Sequence, residues 1–226
     1  NPRGTDCCQL FAPLLNNKLL GQWLDVIWGL RKDRSHLYQQ AKNASNTTGE
    51  NIMTPETVLV FWFKELEEKQ WFIKDTSLDR HITERFADFH AAASAGELYG
   101  WRKTAHGRLA EIIVLDQFSR NMYRDQPQSF ASDPMALVLA QEAVSLGLDR
   151  KLVTPQEQAF LYMPYMHSES EMIHEIAMTL FDQPGLEHNY GFEIKHKKII
   201  DRFGRYPHRN DILGRTSTPE EIAFLK

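Results

Sequence analysis

The sequence predicts an all-α protein, and three observations support that class. Apolar residues recur at helical spacing through most of the chain. Thr-Pro pairs occur at Thr54-Pro55, Thr154-Pro155 and Thr218-Pro219, where Thr suits the helix cap and Pro suits the first helical position. No alternating apolar and polar run is long enough to indicate a strand.

The composition describes a chain with an ordinary core and a weak net charge. Its 226 residues suffice for one large domain or for a domain with an extension, and 42% hydrophobic content supports a packed core. A net charge of −4 gives no overall attraction to nucleic acid or anionic membranes. The two cysteines, Cys7 and Cys8, are adjacent, which indicates no disulfide framework and favours a cytoplasmic location.

Residues 1–50 are interpreted as a helical extension followed by a polar linker, and residues 51–226 as the main helical domain. Apolar residues from Leu19 to Leu30 recur at helical spacing and include Trp23 and Trp28. This stretch is too short and too charged to span a membrane, and no signal peptide is recognised. We expect the Trp23/Trp28 helix to pack on the main domain or, alternatively, to form a homodimer contact.

Helical patterns in the main domain lie at about 54–68, 76–95, 106–123, 134–147, 155–182 and 188–203. Capping boxes are predicted for Thr154 with Glu157 and for Thr218 with Glu221. Pro164 falls inside the longest pattern, where its missing N–H should kink or interrupt the helix just before His167.

The central stretch, Gly107–Arg124, is the most continuously apolar part of the chain and contains two charged residues on an apolar face. Asp116 and Arg120 are four residues apart, so their side chains can meet on a helix. Because burial of a lone charge is costly, we expect them to be paired. The pair either fixes helix packing or lines a cleft whose polar edge continues to Arg124.

A second stretch places Glu157, His167, Glu171 and His174 on one side of a helix. Spacings of four and three would allow the last three to converge on a metal. There is no His-Glu-x-x-His motif and no evident further ligand, so a hydrogen-bonded or solvated polar face is favoured. We expect no metal and no cofactor.

A third stretch, residues 201–218, is rich in turns and in basic residues, namely Arg202, Arg205, Arg209, Arg215 and His208, with Asn210 among them. Arginine forks suit carboxylates and phosphates, which predicts an anion site. Alternatively, these arginines bind buried acids and hold an irregular segment onto the helices.

Several motifs in fixed order resemble an uncharacterised, mainly bacterial family, domain of unknown function nine-two-four. They are Trp71-Phe-Ile-Lys-Asp75, Leu115-Asp-Gln-Phe-Ser-Arg-Asn-Met-Tyr-Arg124, Phe160-Leu-Tyr-Met-Pro-Tyr-Met-His-Ser-Glu169 and Arg202-Phe-Gly-Arg-Tyr-Pro-His-Arg-Asn210. The resemblance covers roughly residues 54–226 and implies an antiparallel array of helix hairpins of tetratricopeptide-like type. It implies no established reaction. Ser119 stands where the family pattern has Pro, which is expected to relax a kink in the central helix.

Three functions stay open. The first is a groove that binds a small anionic ligand or an acidic peptide terminus through Arg120, Arg124, Arg205, His208, Arg209 and Asn210. The second is a hydrolase with Asp116 or Glu157 as general base, His167 or His208 as acid or base, and arginines that stabilise negative charge. The third is a scaffold that uses the Trp23/Trp28 surface. No nucleic-acid or membrane partner is expected.

These hypotheses make different demands on the fold. Anion binding requires Arg120, Arg205 and His208 to lie near one another beside a cavity. Hydrolysis requires His167 or His208 to lie within one water of a carboxylate and to face a pocket.

Overall fold

A computed structural model describes residues 53–226, and every regular element in that part of the chain is helical. The helices are α1 Pro55–Val60, α2 Thr76–Ser94, α3 Ala105–Ile113, α4 Ser119–Met122, α5 Gln128–Ala131, α6 Asp133–Ser145, α7 Pro155–Met166, α8 Glu171–Phe181, α9 Glu187–Phe203 and α10 Pro219–Phe224. Short 3₁₀ turns cover Glu68–Trp71, Glu97–Lys103, Asp149–Lys151 and Pro207–Arg209. The all-α class is therefore confirmed for these residues. The predicted boundary at residue 50 and the Trp23/Trp28 helix lie outside them.

The predicted helix starts are confirmed by their caps. The Thr54 hydroxyl accepts from the Thr57 amide at the start of α1. Thr154 and Thr218 accept from the amides of Glu157 and Glu221, each at 3.2 Å. In both cases the glutamate side chain accepts from the threonine amide in return. These boxes satisfy backbone donors that a helix N-terminus leaves unpaired.

The central stretch is interrupted by a wide turn. A π-helical turn, Val114–Phe118, lies between α3 and α4. A π turn holds one extra residue, so the regular helical wheel no longer applies beyond it. The Ser119 hydroxyl donates to the Leu115 carbonyl at 2.6 Å across this turn. The helix is thus still distorted with serine at this position.

The pattern over residues 155–182 is two helices rather than one. Helix α7 ends at Met166, and α8 begins at Glu171. Pro164 lies in the last turn of α7, from which it removes one backbone hydrogen-bond donor. The connection between the two helices, residues 167–170, begins at His167. The expected interruption of the helix just before His167 is therefore confirmed.

The core is built around the central stretch, which is buried on nearly every side. It packs against α1, α2, α6 and α7. Aromatic rings close one side, with ring centroids 4.8 Å apart for Phe61 and Phe86 and 4.7 Å apart for Phe86 and Phe118. A rigid setting of this kind fixes the polar side chains that the stretch carries.

Consecutive helices pack on one another in the second half of the chain, α7 on α8 and α8 on α9. This packing suits helix hairpins, and the finer tetratricopeptide-like arrangement stays a prediction. Within residues 53–226 no helix is both long and apolar enough to cross a membrane.

Candidate functional site

The polar centre of the molecule is the contact between Asp116 and His167. The π turn holds the Asp116 side chain, which is fully buried. His167 Nδ1 lies 2.8 Å from Asp116 Oδ1, and Arg120 Nη1 lies 2.9 Å from the same oxygen. Gln117 donates to the second carboxylate oxygen at 2.5 Å. The Asp116 carboxylate is therefore fully hydrogen-bonded inside the core.

The charges around this contact determine which nitrogen of His167 carries the proton. Burial alone would raise the pKa of Asp116, but Arg120 and His167 together hold that pKa far below its usual value. An ionised carboxylate only accepts hydrogen bonds, so His167 Nδ1 must be the donor. Burial, with the positive charge of Arg120, lowers the pKa of His167 despite Asp116. Near pH 7 the ring is thus neutral, with the lone pair on Nε2.

Three successive carbonyl groups around His167 are each held by a side chain. Tyr206 Oη donates to the Met166 carbonyl at 2.5 Å. Arg209 Nη2 donates to the His167 carbonyl at 3.0 Å, and His174 Nε2 lies 2.9 Å from the Ser168 carbonyl. Carbonyls at the end of a helix lack intrahelical donors, so these contacts satisfy them and fix the position of His167. We call this set the carbonyl clamp.

A buried His174–Glu193 pair supports the clamp. Both side chains are fully buried, and His174 Nδ1 lies 2.5 Å from Glu193 Oε1. Tyr206 Oη donates its proton to Met166 and therefore accepts from His174 Nε2, which is 3.2 Å away. The Nε2 atom of His174 is thus the donor in its contact with Tyr206 Oη.

Asp133, at the start of α6, joins two arginines beside His167. Arg120 Nη2 lies 3.0 Å and Arg209 Nη1 lies 3.3 Å from its Oδ2 oxygen. The Arg209 guanidinium also stacks 4.5 Å from the Phe130 ring centroid. Burial and the like charge of Arg120 lower the pKa of Arg209 from its usual value, and an arginine remains charged at neutral pH even so. Two cations therefore share one carboxylate here.

A cleft of about 290 Å³ opens beside this cluster. We call it the arginine cleft, and its polar walls include Arg120, Arg124, His167, His196, His208 and Arg209. Burial lowers the pKa of His196, and burial with the charge of Arg209 lowers the pKa of His208 to about 4. His208 exposes one face to solvent and packs its other face 5.4 Å from the Tyr206 ring centroid. At neutral pH the arginines thus supply the positive charge of the cleft.

The structure brings together most of the residues that the sequence singled out. Arg120, Arg124, His167, His208 and Arg209 all line the arginine cleft, and Asp116 lies directly behind His167. The three polar stretches singled out from the sequence therefore all contribute side chains to this one cluster.

Three other candidates lie elsewhere. Glu157 caps α7 and contacts His106 at 3.2 Å in a separate cavity of about 410 Å³. Arg205 forms two hydrogen bonds to Glu221, and Asn210 donates to Ser217 within the C-terminal loop. Arg205 does not line the arginine cleft with Arg120 and His208, so the expected grouping of these three residues at one cavity is not met. An anion site in this cleft would rest on Arg120, Arg124, His208 and Arg209 without Arg205 and Asn210.

Arg124 lines the cleft, but its charge is already paired with Asp79. Its Nε and Nη2 atoms lie 2.6 and 2.7 Å from the two carboxylate oxygens of Asp79. Asn121 donates to the same carboxylate at 2.9 Å. The arginine therefore anchors the central stretch to α2 as well as lining the cleft.

Sequence reasoning missed Asp133, His196 and Tyr206 as parts of the site. Asp133 precedes Pro134 at a helix start, and His196 lies among Lys195, Lys197 and Lys198, so neither position suggests a site from sequence alone. Tyr206 belonged to a quoted motif but carried no assigned role. Nothing in local spacing connects these residues to Asp116, because their proximity arises from tertiary packing.

Two kinds of chemistry find no support in the described residues. Within residues 53–226 no group of histidine, cysteine, aspartate and glutamate side chains could hold a metal ion. His174 is instead bonded to Glu193. No serine hydroxyl in that part of the chain is hydrogen-bonded to His167, and Ser119 contacts His90 at 2.7 Å instead.

Residues 58–226 match the model of a family described as bacterial protein of unknown function (DUF924). The chain is also similar to a solved structure, the protein of unknown function ATU0120 from Agrobacterium tumefaciens. The two share 38% sequence identity with a TM-score of 0.69, and the match covers 76% of this chain and 96% of that one. No curated protein matches the chain.

Proposed function

The chain belongs to the DUF924 family of bacterial proteins of unknown function, and we propose that it is a hydrolase acting on a small anionic substrate. The substrate would lie in the arginine cleft, with His167 as its general base. A single observation carries this proposal. His167 lines the cleft, and the Asp116 carboxylate lies 2.8 Å from its Nδ1, which leaves Nε2 as the ring nitrogen available to a bound molecule.

This arrangement suits proton transfer for a physical reason. The Asp116 carboxylate holds the imidazole in one tautomer and stabilises the imidazolium that forms when Nε2 takes a proton. A positioned general base typically contributes about 10²–10⁴-fold to a rate. The lowered pKa of His167 keeps the base unprotonated at neutral pH, so it is ready to accept.

The arginines would supply the electrostatic part of catalysis. Arg120, Arg209 and His167 line the same cleft; Asp133 accepts from both arginines, and Arg120 also pairs with Asp116. Fixed guanidinium charges favour an anionic substrate and the negative charge that develops on an attacked carbonyl or phosphoryl oxygen.

Water is the nucleophile that this geometry suits, since no serine hydroxyl of the described residues contacts His167. Nε2 would take a proton from the water as its oxygen attacks the substrate. The resulting imidazolium would return that proton to the leaving group as the scissile bond breaks. His167 would then be regenerated in its starting tautomer.

The alternative is a protein that binds a small anion, or an acidic peptide terminus, without converting it. The pairing of Arg120 and Arg124 with Asp116, Asp133 and Asp79 favours this alternative, because it leaves fewer free donors for a developing charge. A scaffold role through the Trp23/Trp28 surface stays a further hypothesis.

One experiment separates catalysis from binding. Wild-type protein and His167→Gln would each be incubated with a bacterial metabolite extract, and changes in anionic metabolites would be followed by mass spectrometry. The matched control is His81→Gln, since His81 is exposed and lies outside the arginine cleft.

We expect wild type and His81→Gln to convert at least one anion, and His167→Gln to convert it at least 10²-fold more slowly. A metabolite that is retained but not converted by wild type supports binding alone. Equal conversion by folded His167→Gln would remove His167 from the mechanism.

A further inference from the structure

A second cavity adjoins the arginine cleft and has the opposite character. It encloses about 290 Å³, and we call it the apolar groove, lined by Phe72, Met163, Met166, His188 and Phe192. His167 and His196 also line it, and the same two residues line the arginine cleft. His167 is thus a wall of both cavities, with guanidinium groups on one side and thioether and aromatic groups on the other.

The apolar groove exposes large apolar side chains, which a folded protein ordinarily buries. Phe72 is 64% exposed and Phe192 is 42% exposed, although both are large apolar side chains. No Lys, Arg, Asp or Glu side chain lines the groove among residues 53–226. Methionine at such a surface adapts its shape to flexible apolar ligands.

The apolar surface continues past the groove. Phe72 and Met163 also line a neighbouring cavity of about 400 Å³, whose walls include Trp71 and Phe160 together with the charged Glu68 and Lys69. An apolar chain that starts at His167 therefore has room to extend along one side of the molecule. The arginine cleft, by contrast, ends among charged and hydrogen-bonded side chains.

We infer that the substrate is an amphiphile, with an anionic head group in the arginine cleft and an unbranched acyl chain in the apolar groove. The inference rests on the proposed function and deepens it, because it names the class of molecule that both cavities would accept together. A molecule that occupies both lies against His167 and His196, the two side chains that line both cavities, so its head-to-chain bond would lie near the imidazole of His167.

The reaction that follows is hydrolysis of an acyl ester or amide. The water oxygen would bond to the acyl carbon as His167 takes the water proton. The bond from that carbon to the head-group oxygen or nitrogen would break, and the proton would pass to this leaving group. The products are a fatty carboxylate and a free anionic alcohol or amine, and water is the only co-reactant.

Binding of simple carboxylates tests the inference without requiring turnover. Dissociation constants for butanoate, hexanoate and octanoate would be measured by titration calorimetry on the full chain. In these probes the carboxylate stands in for the anionic head group, so octanamide, which has the same chain without the charge, reports on that group. Phe192→Ala shortens one wall of the groove.

The control for that variant is Phe224→Ala, since Phe224 is 41% exposed and lines neither the arginine cleft nor the apolar groove.

A buried methylene favours binding roughly fourfold, so we expect affinity to rise about fifteenfold for each two-carbon step in wild type and in Phe224→Ala. In Phe192→Ala the gain in affinity for each two-carbon step should fall to about threefold. Octanamide should bind at least tenfold more weakly than octanoate, because it lacks the charge that the arginines attract.

The outcomes separate this inference from the proposed function. If octanoate binds more tightly than octanamide but the carboxylates bind with the same affinity at every length, the acyl chain does not lie in the apolar groove. The inference then fails, and the anion site of the proposed function is retained. If affinity rises with length but octanoate and octanamide bind equally, the head group is not in the arginine cleft and the inference fails. If none binds, the anion site of the proposed function fails as well.

Discussion

Asp116 is a buried charge whose partners both compensate its burial and place a neighbouring histidine. Its side chain is fully buried, and its oxygens contact Arg120, His167 and Gln117. Removal of one partner from such a group leaves a charge without compensation, which costs far more than the net contribution of the intact pair. The contacts that compensate the buried charge of Asp116 also orient His167.

Replacement of Arg120 by alanine should therefore be severely destabilising. We expect the free energy of unfolding to fall by about 3–5 kcal/mol, because Asp116 and Asp133 both lose a partner. Urea denaturation would measure it. The control is Arg202→Ala, whose exposed pair with Glu220 should contribute less than about 1 kcal/mol. Similar losses in the two variants would show that the Arg120 contacts are not energetically special.

Asp116→Asn tests the tautomer of His167 directly. The amide can present a donor to Nδ1, so the Nε2-protonated form becomes accessible and the lone pair no longer faces the cleft. Nitrogen-15 NMR of the His167 ring should show Nε2 unprotonated in wild type at pH 7 and a tautomer mixture in the variant. On any converted substrate, kcat should fall about 10²–10⁴-fold. An unchanged ring spectrum would contradict our assignment.

At the scale of elements, the carbonyl clamp links the end of α7 to a segment about forty residues later. Tyr206 and Arg209 come from the 3₁₀ turn region, and His174 comes from α8. Each donates to a carbonyl that the interruption after Pro164 leaves unpaired. The clamp thus converts a helix end into a fixed platform for His167.

Tyr206→Phe removes one donor of the clamp with little change in shape. The buried Met166 carbonyl then lacks its partner, and we expect a loss of about 1–3 kcal/mol in unfolding free energy. Tyr165→Phe is the control, since Tyr165 is equally buried and no hydrogen bond to its hydroxyl is present among residues 53–226. The His167 ring resonances should shift only in Tyr206→Phe. Equal effects of the two variants would argue against the clamp.

Gly107, at the start of the central stretch, is required by close packing. A Cβ atom there would collide with the Trp101 carbonyl, which is backbone and cannot move aside easily. We expect Gly107→Ala to lower the melting temperature by several degrees, a loss of roughly 2 kcal/mol or more. At Gly100 a Cβ would meet nothing within 4 Å, so Gly100→Ala should be neutral or slightly stabilising. A neutral Gly107→Ala would contradict the close approach.

For the whole molecule, the histidines determine how stability responds to mild acid. Four of them have pKa values lowered from 6.5 by burial, namely His90, His167, His196 and His208. The unfolded chain therefore binds more protons than the folded chain between the lowered values and 6.5. By linkage, the free energy of unfolding rises with pH across that window and levels off above it.

We accordingly expect the melting temperature to fall as pH is lowered from 7 to 5, as scanning calorimetry would show. His208→Gln should flatten the slope, because the pKa of His208 is lowered to about 4. Carboxylates with lowered pKa values, such as Glu221 at about 2, add a further loss only below about pH 4.5. A melting temperature that is constant between pH 7 and 5 would contradict these shifts.

The sequence predicted the helical class and the helix starts, because threonine caps and helical spacing are local signals. It also singled out the three stretches that carry Asp116, His167 and Arg209. It did not predict the π turn at Val114–Phe118, since an extra residue per turn is stabilised by packing rather than by composition. Nor could spacing distinguish Arg205, which pairs with Glu221, from Arg209, which reaches the cleft.

The order of the clamp along the chain has a consequence for biosynthesis. Asp116 and His167 leave the ribosome well before Tyr206 and Arg209, so a nascent chain contains the pair before its supports exist. The carbonyls of Met166 and His167 then bond only to water. A chain stalled near residue 200 should therefore hold the His167 ring less firmly than the complete chain does. The site is complete only once the segment that carries Tyr206 and Arg209 has been made.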